Sequence, residues 1–440
     1  MQNWGLQIEQ VPIQLESFVM GAPQMHLLLN NQIVQCNEQA LKRLPIQKAV
    51  HLGFEEWIMI YQNPERPDNR KRSNYQIADG IFNTFQQSCG MLKIRVEEPH
   101  FLEVESENDY GEIKSKLLHY MMSTPDSHFR HPKIVVVILG NENNYRMYKE
   151  LFHEFNIPSQ MITTRNGFKF NMSKASNILR QINSKIEGDL FHLKFPEAMD
   201  EMRTMLIGID VCHAGPSSVV GFAASTNKEM SQYYSEHLVQ RKGQEIVETK
   251  MKESLKKAIE VFAQHHNRQF PTNFIIFRDG VGDAQRLQVI QKEIQQFRDA
   301  FSEVYNKVAK QPEITLVVVN KRITQRFFVK DNRGNLMNPP SGCIVDRGLV
   351  EQSDPSGAFD FFLMPSGANQ GCVLPTHFYV PLNESSLKKI ELQSLTYALC
   401  HGYFNWAGPI KVPAPCQYAH KIADFYMTIG VAKKGNNARK

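Results

Sequence analysis

Asp210 and Asp279 are placed where a side chain can do chemistry, because each closes a run of apolar residues. Met205-Leu-Ile-Gly-Ile209 leads into the first, and Phe274-Ile-Ile-Phe277, followed by Arg278, leads into the second. Apolar runs of this length read as strands covered on both faces. A carboxylate at the carboxyl end of such a strand points into the crevice where α/β proteins place their ligands. Two carboxylates held together repel unless a cation lies between them. A pair of hard cations, Mg²⁺ or Mn²⁺, on carboxylate oxygens suits in-line attack on a phosphodiester. Taken alone, Asp279-Gly280 reads better as a turn that caps the helix after it. The chemistry therefore depends on whether the fold makes the two aspartates neighbours.

The order of elements around them predicts that it does. After the first strand, 219–225 and 232–239 read as two more strands of an antiparallel meander, with turns near Pro216 and Asn227. A helix follows from about Glu245 to Gln264, striped by Val247, Met251, Leu255, Ala258 and Phe262. The Phe274 strand comes next. Behind it are a helix striped by Leu287, Ile290, Ile294, Phe297 and Phe301, and a buried strand over 314–319. A right-handed crossover then lays the first and fourth strands side by side, with Asp210 and Asp279 at one rim.

The first half has a different rhythm. Strands over 57–61, 92–96, 134–139 and 160–163 alternate with helices. Ile77, Ile81, Phe82 and Phe85 mark one helix, and Ile113, Leu117, Leu118 and Met121 a second. A third begins near Asn144, and Ala175, Ile178, Leu179 and Ile182 mark a fourth. This alternation predicts an α/β fold with a doubly wound, largely parallel sheet. Residues 1–49, punctuated by Pro12, Gly21, Pro23 and Pro45, read as an extended connector laid over another domain. Phe195-Pro196 and the acidic stretch 197–201 mark the boundary between the halves.

With 440 residues the chain has length for two or three full cores. Fifty basic against 45 acidic side chains leave +5, which permits an anionic partner without demanding one. Seven scattered cysteines without a CxxC spacing argue against a zinc site and for a reducing compartment, cytoplasmic or nuclear. No apolar run approaches membrane-spanning length, so no membrane partner is expected.

The second half resembles the PIWI domain of Argonaute and PIWI proteins, which has an RNase H-like fold. The resemblance rests on blocks in order: Gly208-Ile-Asp-Val-Cys-His213, Gly221-Phe-Ala-Ala-Ser225, Gly243-Gln-Glu-Ile246, Arg278-Asp-Gly-Val-Gly-Asp283 and Lys321-Arg-Ile-Thr-Gln-Arg-Phe-Phe328. It continues through Pro375-Thr-His377, Leu395-Thr-Tyr397, Cys400-His401 and the run from Val412 to Tyr418-Ala-His-Lys421. The Arg278 block and the Tyr-Ala-His-Lys ending are closer to the PIWI clade. The family's slicing tetrad then implies Asp210, a glutamate finger at Glu245, Asp279 and His420, with Asp210, Asp279 and His420 as ligands of Mg²⁺ or Mn²⁺. Read without the family, Glu245 is an ordinary first-turn helix carboxylate and His420 a structural histidine. His377 is the main rival to His420.

The first half resembles the MID domain that precedes PIWI and holds the 5′-phosphate of a guide RNA. Tyr145 and Lys149 stand four apart on one helix, as do Gln181 and Lys185 on another, so each pair shares a face. With Gln160, in Ile157-Pro-Ser-Gln160, these five match the family's phosphate pocket in order and spacing. Gln at 181 again favours the PIWI clade. Arg165, Lys169, Lys321, Arg322 and Arg326 read as contacts to the guide backbone.

The resemblance implies an L2-like linker over 1–49, a MID domain over 50–190 and a PIWI domain over 191–440, with the N-terminal and PAZ domains lying outside the chain. The activity implied is cleavage of complementary RNA under a small, piRNA-like guide, with silencing protein partners. A guide-loaded module that silences without cutting is the alternative. The MID-like half disfavours a transposase or integrase.

Overall fold

The computed structural model describes residues 11–29, 32–36, 43–62, 74–123, 130–307, 310–349, 357–368, 370–406 and 408–430. The polar tail 433–440 lies outside the described residues.

The doubly wound expectation for the first half holds. Four parallel strands stand in the order His100–Val104, Ile58–Gln62, Val135–Leu139, Ser159–Thr163. Val135–Leu139 is buried at every position, as a central strand packed on both faces must be. The helices Asn74–Leu92 and Met172–Lys185 pack on one face through Ile77, Ile81, Phe85, Leu179 and Ile182. Tyr110–Met122 and Tyr145–Glu154 cover the other face through Ile113, Leu117, Tyr148 and Leu151.

One expected strand is replaced. Residues 92–96 make only a single bridge, Leu52 to Val96, because Leu92 closes the preceding helix and Lys93 takes a left-handed turn with φ 53°. The pairing falls to His100–Val104, whose mixed sequence His-Phe-Leu-Glu-Val suits the edge of a sheet.

The second half is built on a nine-stranded mixed sheet. From one edge the order is Phe18–Val19, Cys343–Val345, Phe359–Met364, Thr376–Asn383, Glu313–Asn320, Asn273–Asp279, Thr204–Cys212, Ser218–Ser225 and Tyr233–Gln240. The meander 204–240 is antiparallel as expected. Asn273–Asp279 pairs in parallel with both Thr204–Cys212 and Glu313–Asn320. The connector contributes Phe18–Val19 to the edge of this sheet, and Met25–Leu29 with Gln32–Cys36 to a small three-stranded one. The strands after residue 320 had no counterpart in the sequence reading.

Helices Met251–His265 and Gln295–Val304 cover one face of the large sheet through Leu255, Phe262, Phe297 and Phe301. Lys389–Leu399 and Ala414–Thr428 cover the other. Two corrections matter for the site. The helix expected from Glu245 begins only at Met251, after Lys250 in a left-handed turn with φ 71°. Glu245 therefore stands on a loop, not in a first helical turn. The helix expected to bury Leu287 instead leaves it 63% exposed, because Val289–Ile294 is a π-turn. The wider turn shifts the helical phase, burying Val289 and turning Glu293 inward.

Candidate active site and anion cleft

Arg278 pairs with Ile209 across the parallel strands, so the next residues, Asp279 and Asp210, stand side by side where both strands end. Asp279 is 1% exposed and Asp210 6%. Gly280, with φ +88°, turns the chain at once, and a Cβ there would lie 3.6 Å from Glu245 Oε1 and 3.8 Å from Asp210 Oδ1. That one point thus has two of the expected carboxylates beside it and the third next in the chain.

The fourth side chain comes from the far end of the sequence by close packing. The Ala414–Thr428 helix lies directly on strand backbone: a Cβ on Gly208 would meet Pro415 O at 2.0 Å, and one on Gly221 would meet Ala419 O at 1.9 Å. Only glycine allows that approach. It sets His420 beside Asp210, with Nδ1 to Oδ2 at 2.7 Å. Asp210, Glu245, Asp279 and His420 then line a single cleft of about 840 Å³.

Glu245 is held in that cleft from two sides. Its Oε1 accepts from Arg278 Nη1 at 2.7 Å, and its Oε2 lies 2.8 Å from His213 Nε2. Arg278 is fully buried. Its Nε donates to Glu293 Oε2 at 2.9 Å and its Nη2 donates to the carbonyl of Glu245 at 2.7 Å. Burial opposes the charge of Arg278, but Glu293 and then Glu245 outweigh it and hold the guanidinium protonated. Glu293 also accepts from the backbone N–H of Val247 at 2.9 Å, which fixes the loop that carries Glu245. His213, Arg278 and Glu293 had no role in the sequence reading. The one local signal was an arginine inside a buried strand; Glu293 is turned inward by the π-turn.

Burial and the neighbouring charge of Asp210 raise the Asp279 carboxyl above the ordinary carboxylate range. Its Oδ2 accepts from Lys321 Nζ at 2.5 Å, whereas its Oδ1 is buried without a hydrogen-bond partner. Lys321, expected on a guide backbone, pairs with Asp279 of the tetrad, and both it and Arg322 line the cleft. Arg326 donates to the carbonyls of Ile323 and Gln325, in its own loop. His377 is paired with Asp360 at 2.5 Å in the same cleft and stacks on Phe362.

Among the described residues, no three His, Cys, Asp or Glu side chains are arranged around one point that could hold a metal ion. The donors are nevertheless of the right kind. A buried oxygen without a partner on Asp279, with a second carboxylate beside it, suits a hard divalent cation that binds through oxygen.

A second cleft, of about 320 Å³, opens between Lys149, His153, Ser159 and Lys185 of the first half and Phe425 of the Ala414–Thr428 helix. Lys149 Nζ donates to Ser159 Oγ at 2.8 Å. Lys185 Nζ donates to Gln160 Oε1 at 2.7 Å and to the Ser159 carbonyl at 2.9 Å. Burial lowers Lys149 to about 8. The walls of the cleft, with the charge of Lys149, lower Lys185 to about 7, although solvent still reaches its side chain. No carboxylate of the described residues pairs with either lysine, so the cleft offers donors of the kind that suit an anion.

Of the five residues expected here, Lys149, Gln160 and Lys185 meet around Ser159. Tyr145 joins them with its half-exposed ring 5.6 Å from Lys149 Nζ. Gln181 points elsewhere, its Nε2 donating to the Asn405 carbonyl at 3.2 Å. Ser159 is the addition, and its hydroxyl precedes Gln160 in the sequence.

The Piwi domain model matches residues 134–428. Piwi-like protein 1 of Gallus gallus is 33% identical over 438 residues, covering 96% of this chain and 46% of that protein. The chain spans about half the length of the curated relatives it matches. The crystal structure of the C-terminal lobe of a budding yeast Argonaute has a TM-score of 0.79 at 18% identity, over 96% of this chain and 90% of that one. Kluyveromyces polysporus Argonaute, solved with a guide RNA, has a TM-score of 0.77 at 18% identity, over 97% and 51%. The structural likenesses show a shared fold; with the domain match and the identity to Piwi-like proteins, they establish that this chain belongs to the Argonaute/Piwi family.

Proposed function

We propose that this chain is the guide-holding and cutting part of a small-RNA-guided endoribonuclease acting in RNA silencing. Residues 50–190 hold the 5′-phosphate of the guide, and 191–440 cut the paired RNA by metal-dependent phosphodiester hydrolysis. The observation that carries this reading is the convergence of Asp210, Glu245, Asp279 and His420 on one cleft. The guide RNA held by the Kluyveromyces polysporus Argonaute of the same fold supports the ligand class.

Asp210, Asp279 and His420 are the residues that would hold Mg²⁺ or Mn²⁺. Bound there, such ions activate the attacking water and stabilise the leaving oxygen. Glu245, kept in place by Arg278 and His213, adds a third carboxylate to the cleft. His420 keeps Nδ1 on Asp210, which leaves Nε2 as the nitrogen that would meet the cation. Among the described residues no helix is long and apolar enough to cross a membrane. The reading places the protein in cytoplasm or nucleus.

The anion cleft is tested by pH. A phosphate dianion raises the pKa of lysines held at about 8 and about 7, so on binding their neutral amine fraction takes up protons from solvent. Affinity for a 5′-phosphorylated RNA is expected to fall as pH rises from 7 to 9, measured by fluorescence anisotropy. A 5′-hydroxyl RNA should show a much flatter profile. The ligand-free protein follows the opposite course. Both folded pKa values lie below the unfolded value near 10.4, so stability rises with pH from about 7 toward that value. Equal pH profiles for the two RNAs would contradict the assignment.

A further inference from the structure

We propose that Lys321 is a resident counter-ion that keeps Asp279 from divalent cations until an RNA strand in the cleft draws its ammonium away. The proposal rests on the nuclease reading above and adds a gate to it.

The two cationic groups next to the tetrad are held in different ways. Arg278 has a fully buried side chain fixed by Glu245 and Glu293, so it belongs to the framework. Lys321 has a side chain 28% exposed and pairs with Asp279. It stands just past the Glu313–Asn320 strand, at the start of 321–328, which forms neither helix nor strand. A four-carbon stem on irregular backbone can swing where a buried guanidinium cannot.

Lys321 and a divalent cation compete for the same atom, because Asp279 Oδ2 already accepts the ammonium at 2.5 Å. A cation bound through Oδ1 alone would face a like charge across one carboxylate. Both arrangements weaken metal binding while the ion pair stands. Lys321 and Arg322 also line the cleft that an RNA would enter. A phosphate there gives the ammonium a new partner and releases Asp279. By linkage, whatever factor the strand adds to metal affinity, the metal adds to strand affinity. The gate would keep the hydrolytic site unloaded until substrate is present.

Mn²⁺ binding, read by the loss of free-ion signal in electron paramagnetic resonance, tests this on the whole chain. A guide paired with a 2′-O-methyl, uncleavable target serves as the strand. Wild type is expected to bind Mn²⁺ about tenfold or more tightly with the duplex than without it, within the usual range of such couplings. Lys321→Met keeps the stem and removes the charge. It is expected to bind Mn²⁺ tightly in both conditions, so the gap closes, while Lys321→Arg keeps the gap open. Thermal melting confirms that each variant is folded. Duplex-free Mn²⁺ affinity that is the same in Lys321→Met and wild type overturns the gate. If Asp279→Asn leaves Mn²⁺ binding unchanged in every background, the metal assignment fails, and the gate with it. Binding that needs Asp279 but ignores Lys321 rejects the gate alone.

Discussion

Asp279→Asn is expected to abolish RNA cleavage and, in cation-free buffer at neutral pH, to raise the melting temperature. The two effects have one cause. Asp279 is buried beside Asp210, and burial followed by that charge raises its pKa. A carboxyl raised in the folded state stabilises the fold only while it is protonated. Its contribution is lost as pH climbs from the ordinary value near 4 through the raised native one. Once ionised, Asp279 is therefore a cost to the fold, carried for the sake of binding a cation. Asparagine keeps the shape and an acceptor for Lys321 but carries no charge. Cleavage should fall by about 10³-fold or more, the order seen when a preorganised charge-stabilising group is removed. With a guide–target duplex in the cleft, Mg²⁺ should raise the melting temperature of wild type and leave that of the variant unmoved. A variant that melts lower than wild type without cations would contradict this account of Asp279.

Arg278→Ala carries the largest expected stability effect. It leaves Glu293, 1% exposed, as a buried charge without its partner, at a cost of about 3–5 kcal/mol. Urea denaturation measures it directly. Glu293 would keep only the Val247 N–H, and Glu245 would lose the donor that holds its Oε1. Lysine should not rescue the site, because a single ammonium cannot reach both carboxylates and the Glu245 carbonyl as the guanidinium fork does. The double variant Arg278→Met/Glu293→Gln is expected to recover most of the stability and none of the cleavage. Recovered cleavage would show that Glu245 needs no anchor.

The parts of this molecule that could be read from sequence are those in which one local signal agrees with one physical cause. The run Phe274 to Phe277 is apolar because both faces of its strand are covered, and Asp279 stands where that strand must stop. The meander and the crossover follow from short connections, so the neighbourhood of Asp210 and Asp279 was foreseeable. Misreadings arose where tertiary packing overrode the local pattern. Glu245 looks like a helix-opening acid, but the loop through it is fixed by Arg278 and Glu293 from other elements. Leu287 fits a regular apolar stripe, and only the π-turn at Val289–Ile294 moves it to solvent. His100–Val104 is an edge strand whose alternation is weak, next to an apolar run that merely closes a helix. The role of Lys321 was hidden for another reason. Its basic neighbours suggested a backbone contact, and nothing local signals that Asp279 lies within reach.

The claim that this chain cuts RNA under guidance is tested most directly by one cleavage assay. The protein is loaded with a 5′-phosphorylated guide and given a complementary, end-labelled RNA with Mg²⁺. The account predicts a single cut in the paired region that disappears with EDTA and in Asp279→Asn. Secure binding of the target by wild type with no cut, or a cut that survives Asp279→Asn, would contradict it.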